Sequence, residues 1–236
     1  MVNTLKNVHV EIELFPNTVQ LKDRDVLCPA DFEIDNLRKK LSQKFRPEVV
    51  ENMLDQFLKH SVIGDKLPLY HLTLPELESA FPRCGFVFIF RDVSDVARSF
   101  QRRFEDPEDT WKLKGYMGIN YWCEAAYNFL SYQEQHPEKC TTIYFKHLFA
   151  SAFEDNMAQA HKLGDRLAQL LDVGIMDIPS VEKIMKTSAD RKVQNSWSEG
   201  NFTQDIFDRY ARDCAHPIWT IDQYRDMHAR LINLDL

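Results

Sequence analysis

Glycine is scarce, seven among 236 residues, and no stretch is rich in Gly, Ser and Pro together. With no internal repeat and no charge block either, this excludes collagen-like chains, solenoids and disordered linkers. Long apolar runs are also missing. The longest, Phe86-Val87-Phe88-Ile89-Phe90, is about a quarter of what a membrane-spanning helix needs. The N-terminus has no basic segment followed by an apolar stretch, so neither a signal peptide nor a membrane span is expected, and the chain reads as cytoplasmic. Positive charge is in deficit: 29 Lys and Arg against 36 Asp and Glu leave a formal charge of −7. A surface built to coat nucleic acid needs clustered cations, so no nucleic-acid partner is expected, although a local basic pocket is allowed. The five cysteines, 28, 84, 123, 140 and 214, show no zinc-ligand or redox-pair spacing. Their odd number fits a reducing compartment, and no metal is called for.

What is present is an alternation of two periods. Val8, Val10, Ile12 and Leu14 alternate with His9, Glu11 and Glu13 up to Pro16, the pattern of a half-buried strand. Across residues 31–60 the period becomes helical (Phe32, Ile34, Leu37, Leu41, Phe45, then Val50, Leu54 and Phe57), with a break at Arg46-Pro47. Thr73 reads as the N-cap of a short helix, with Pro75 in its first turn and Glu76 completing a capping box. The run 86–90, apolar on both faces, predicts a strand covered on both sides. Asp92 and Ser94 are candidate caps of the helix that follows. A long aromatic-rich helix is expected over 116–135, a strand over 141–145 and helices over 156–171, 203–214 and 220–231. Strands alternating with helices mean an α/β sheet between helices, in a single domain over residues 1–236.

In open α/β sheets ligands bind beyond the carboxyl ends of strands, which singles out Arg91. A guanidinium there, with Ser99 in the following helix, can hold a phosphate. The other reading is a strand-end arginine paired with a carboxylate. In the polar stretch 187–201, about fifteen residues long, Arg191 and Lys192 stand in what reads as a functional loop. The triplet Asn201-Phe202-Thr203 fits a glycosylation pattern, which matters only in a secreted chain.

The segment Phe88-Ile89-Phe90-Arg91-Asp92-Val93-Ser94-Asp95-Val96-Ala97-Arg98-Ser99 resembles the nucleotide-binding segment of sulfotransferases that use 3′-phosphoadenosine 5′-phosphosulfate (PAPS). In that family an R-x-P-x-D-V-x-x-S pattern holds the 3′-phosphate through its Arg and Ser. Here Arg91, Asp95, Val96 and Ser99 match in register and Val93 replaces the proline. Upstream, Gly64-Asp65-Lys66-Leu67-Pro68-Leu69-Tyr70 is similar to the G-(D/E)-K-x-P-x-Y segment of the family's glycan and bacterial branches. The resemblance makes Lys66 the cation that stabilises the departing phosphate oxygen; alone, the segment reads rather as a turn with a surface lysine. Glu11-Ile12-Glu13-Leu14-Phe15 is similar to the family's E-x-H-x-F stretch and makes Glu11 the base that takes the acceptor proton, though both glutamates also fit the wet face of a strand. Thr142-Ile143-Tyr144-Phe145-Lys146-His147-Leu148 resembles a strand ending in Y-E-D-L, with Lys146 and His147 in place of both acids. By position, Arg191 would support the 3′-phosphate.

The resemblance implies a three-layer α/β/α fold with a mainly parallel sheet, like that of P-loop nucleoside triphosphate hydrolases. It implies sulfuryl transfer from PAPS to a hydroxyl or amine of a glycan, lipid or small molecule, leaving adenosine 3′,5′-bisphosphate. One family feature is missing from the sequence: the P-(R/K)-S-G-T-T loop that holds the 5′-phosphosulfate. Its absence fits either a truncated form or a natural variant with a damaged donor site, and the alternative expectation is a non-catalytic sulfotransferase-like binding module. The acceptor and the oligomeric state are not legible; Trp111, Tyr116, Tyr121 and Trp122 could stack on a sugar or fill a core, and helical spacing favours core.

Overall fold

The computed structural model describes residues 8–12, 32–43, 45–59, 62–110, 112–146, 153–171 and 202–235. The described elements run β1 (Val8–Ile12), α1 (Ile34–Leu41), α2 (Pro47–Lys59), β2 (Val62–Lys66), α3 (Leu74–Ala80), β3 (Phe86–Phe90), α4 (Val93–Glu105), α5 (Gly115–Gln133), β4 (Cys140–Tyr144), α6 (Phe153–Leu171), α7 (Phe202–Asp213) and α8 (Ile221–Asp235). Short 3-10 turns, Pro68–Leu72 and Pro137–Lys139, lead into α3 and β4.

Every pairing among the described residues is parallel. β1 lies on β2 with Val8 opposite Val62 and Ile12 opposite Lys66. β3 lies on β4 with Phe86 opposite Cys140 and Phe90 opposite Tyr144. Parallel neighbours need crossover connections, and helices supply them: α1 and α2 between β1 and β2, α4 and α5 between β3 and β4. This is the α/β alternation expected from the sequence. Thr141 and Thr142, both buried, point to opposite faces of β4 because side chains alternate along a strand. Arg166 of α6 donates to the Thr141 hydroxyl at 2.6 Å, while the Thr142 hydroxyl donates to the Leu231 carbonyl of α8 at 3.1 Å. Helices thus engage both faces of this strand.

Three expectations need correction. β2 is a strand where the sequence suggested a turn, so Lys66 ends a strand. Thr73 does precede α3, but with no side-chain capping bond; its hydroxyl reaches the Tyr70 carbonyl at 3.5 Å instead. β3 is not covered throughout: Phe90 is buried, whereas Ile89 is 54% exposed.

The main core gathers behind β3 and β4. Val93 and Ala97 of α4 meet Ile119, Trp122, Cys123, Ala126, Phe129 and Leu130 of α5, whose spacing of three and four residues puts them on one stripe. The two helices approach closely at Gly118, where a Cβ would sit 3.1 Å from the Ala97 Cα, a backbone atom that cannot swing aside. A smaller cluster of Leu37, Leu41, Val50, Leu54, Phe57 and Leu77 joins α1, α2 and α3.

Candidate active site

Because β3 and β4 run parallel with Phe90 opposite Tyr144, the residues that leave the two strands, Arg91 and Phe145, emerge side by side. The Arg91 guanidinium carbon lies 3.9 Å from the centroid of the Phe145 ring, a cation–π contact. The Arg91 carbonyl accepts a 2.7 Å hydrogen bond from the indole N–H of Trp122 on α5. The residue is exposed, so its donors face water while backbone and ring contacts hold it in place.

Asp92 occupies the N-cap position of α4, yet its side chain makes no capping bond. Its carboxylate is turned toward β4 and α8. It accepts from the Tyr144 hydroxyl at 2.8 Å and from His228 Nε2 at 3.1 Å, and it pairs with the Lys146 ammonium. An ionised carboxylate only accepts, so His228 presents Nε2 as N–H. Burial would raise this carboxyl, but the hydrogen bonds from His228, Lys146 and Tyr144 outweigh it and hold the group far below the ordinary carboxylate range. The same contacts act on the phenol of Tyr144, which burial and the bond to Asp92 push up, keeping it a donor. Asp95, one turn into α4, moves upward, first through burial and then through the nearby Asp92 charge.

Ser99 is exposed on α4, roughly 9 Å of helix rise beyond the first turn residue. No hydrogen bond joins it to Arg91. Glu11 and Lys66 come together as backbone positions: Glu11 pairs with Asp65 and the next rung pairs Ile12 with Lys66, so both stand at the carboxyl edge of the β1–β2 ladder. Lys66 is exposed. Arg191 and the stretch 187–201 lie outside the described residues, as do Glu13, Trp111 and His147. Of the remaining aromatics in question, Trp122 is core at 6% exposure, Tyr116 packs partly buried against it, and Tyr121 is exposed.

Sequence reasoning missed the Asp92–His228 link. His228 lies on α8 with its ring among Phe90, Trp122, Tyr144 and Tyr224, centroids 5.4–6.2 Å away. Only tertiary packing brings it to the end of β3. The group exposed at this strand end is the Arg91 guanidinium, and Cys123 and Cys140 offer no reactive thiol. Burial pushes the Cys123 thiol up to about 12 and does the same at Cys140, so neither is a thiolate near neutrality. Among the described residues no three His, Cys, Asp or Glu side chains gather as a metal site would require, and no helix is long and apolar enough to cross a membrane.

A family model described as "Sulfotransferase family" matches residues 13–173, a span that includes Lys66, Arg91 and Ser99 but neither Glu11 nor Arg191. Among solved structures, the "Sulfotransferase Domain from the Curacin Biosynthetic Pathway" is similar at 19% identity over 77% of this chain and 76% of that one, with a TM-score of 0.38. No curated protein matches the chain.

Proposed function

This chain belongs to the sulfotransferase family, and from that premise we propose that it moves a sulfuryl group from PAPS to a hydroxyl or amine of an acceptor. The observation that carries the proposal is Arg91: a guanidinium at the carboxyl end of a parallel strand, held over Phe145 with its donors exposed, inside the segment that resembles the family's 3′-phosphate site. A planar fork of this kind suits bidentate binding of phosphate.

The residues divide the work by charge. Arg91 and Ser99 hold the 3′-phosphate, with Arg191 in support. Bound PAPS supplies the sulfuryl group, and adenosine 3′,5′-bisphosphate remains after its transfer. The Lys66 ammonium stabilises negative charge on the leaving oxygen. Glu11 takes the proton of the acceptor hydroxyl or amine; what supports this is only its backbone position at the carboxyl end of β1, beside the strand end that carries Lys66. The two parallel ladders with their crossover helices fit a single three-layer domain of the P-loop-like sulfotransferase type over residues 1–236, and a cytoplasmic location fits its composition.

Calorimetric titration with adenosine 3′,5′-bisphosphate tests the site. We expect micromolar binding to the wild type and a loss of about 1.5–3 kcal/mol in Arg91→Ala, the size of a charge-assisted hydrogen bond. Equal affinity in both proteins would remove the 3′-phosphate role. Sulfuryl transfer from PAPS to an acceptor panel then separates an enzyme from a binding module: a chain that binds the nucleotide and transfers nothing is the module.

A further inference from the structure

Asp92 is in an unusual position for an anion-binding site. It adjoins Arg91, and aspartate at an N-cap position ordinarily turns back to bond the first helical N–H groups. A carboxylate there is also a built-in competitor, because the guanidinium next to it is the group an incoming phosphate needs. In this chain the side chain makes no capping bond. Three donors from two other elements hold it elsewhere: Tyr144 and Lys146 at the end of β4, and His228 on α8. His228 is itself fixed by the rings of Phe90, Trp122, Tyr144 and Tyr224, so its Nε2–H is aimed at the carboxylate.

We propose that His228 is a positioning residue for the nucleotide site: by holding the Asp92 carboxylate against β4 and α8, it keeps that charge away from Arg91 and leaves the guanidinium to the ligand's 3′-phosphate. Lys146 serves the same end by neutralising the charge it pairs with. The inference rests on the nucleotide reading above, and it brings into the site a helix that lies beyond the family-matched span of residues 13–173.

The test is calorimetric titration of adenosine 3′,5′-bisphosphate into wild type, Arg91→Ala, His228→Phe, His228→Gln, Asp92→Asn and the double variant His228→Phe/Asp92→Asn, each checked for folding by thermal unfolding. The phenyl ring keeps the aromatic packing and deletes the donor. Affinity should fall about tenfold in His228→Phe, the loss of roughly one charge-assisted hydrogen bond. It should stay near wild type in His228→Gln, which restores an N–H. The decisive variant is the double one: once the competing charge is gone, losing the His228 donor should no longer weaken binding. Asp92→Asn alone should bind at least as tightly as wild type, and this arm stands even if His228→Phe does not fold. A double variant as weak as His228→Phe, or a weaker Asp92→Asn, overturns the proposal and makes the cluster structural only. Unchanged binding in Arg91→Ala overturns the nucleotide reading itself, a result distinct from either.

Discussion

The cluster that joins α1, α2 and α3 buries Leu37, Leu41, Val50, Leu54, Phe57 and Leu77, side chains with no hydrogen-bonding atom. Behind Arg91 the cluster also contains rings with polar handles, and four of those handles are hydrogen-bonded. The Trp122 indole bonds the Arg91 carbonyl, the Tyr144 hydroxyl bonds Asp92, the Tyr132 hydroxyl bonds Glu78, and the Tyr210 hydroxyl bonds Asn120. Aliphatic burial is non-directional: it stabilises a shape and tolerates repacking. Rings tied by hydrogen bonds fix orientation as well, because each unmade bond would leave a polar atom stranded. The chain thus combines a region held together chiefly by contact area with one that also sets the direction of particular groups, and the candidate site is in the second.

The contrast can be broken most severely at Phe57. Phe57→Ala should cost about 3–5 kcal/mol of folding stability, as large-to-small changes in a closed core do, and leave nucleotide affinity in the remaining folded protein unchanged. Chemical denaturation and calorimetry on one preparation would check both halves. A loss of affinity without unfolding would mean that the aliphatic cluster also orients the site.

His71 sharpens the comparison at the junction between the regions. It lies buried in the turn before α3, with Nδ1 3.1 Å from the Asn128 side-chain nitrogen on α5, and burial pushes its pKa down to about 4. The folded state resists a proton that the unfolded chain accepts near pH 6.5. Stability should therefore decline as pH falls from about 6.5 to about 4, by up to roughly 3 kcal/mol, and then level off for this group. His71→Gln should flatten that window in a series of denaturation curves at stepped pH. Asp92, with its pKa depressed, acts in a separate and lower window. Its contribution is complete above the ordinary aspartate value and fades only as pH drops below about 4.

Trp122→Phe is the mildest of the three. The ring stays, but the Arg91 carbonyl loses its donor, so stability should fall by about 1–3 kcal/mol. Here the smaller stability loss should come with several-fold weaker nucleotide binding, the reverse of Phe57→Ala. Unchanged affinity would show that Phe145 alone suffices to place the guanidinium.

How much of this was legible in the sequence follows from how local each signal is. β3 and the arginine after it could be read because five apolar residues in a row end at one charge. α1, α2, α4 and α5 could be read because their burial follows the helical period within a single segment. β2 was missed because Gly64 and Asp65 have poor strand propensity, and its partner β1 supplies the context they lack. The capping expectations at Thr73 and Asp92 correctly identified the positions but not the bonds: the Asp92 carboxylate turns to tertiary partners, and the Thr73 hydroxyl faces back to the nearby Tyr70 carbonyl. His228 gave no signal at all. Nothing in the residues around it says that α8 will lie across β4, and its partner Asp92 belongs to an element far earlier in the chain.

The parallel ladders also determine how the chain must assemble. Val8 has to find Val62 and Phe86 has to find Cys140, with whole helices between the partners in each case. Closing such loops costs entropy before any strand bond is made, whereas α4 and α5 are sequence neighbours, separated by nine residues, that approach closely at Gly118. The α4–α5 hairpin is therefore the natural early structure in refolding, with β3 and β4 zipping together afterwards. Arg91 and Phe145 meet only when that late ladder closes, so ligand-binding competence should be among the last properties the refolding chain acquires.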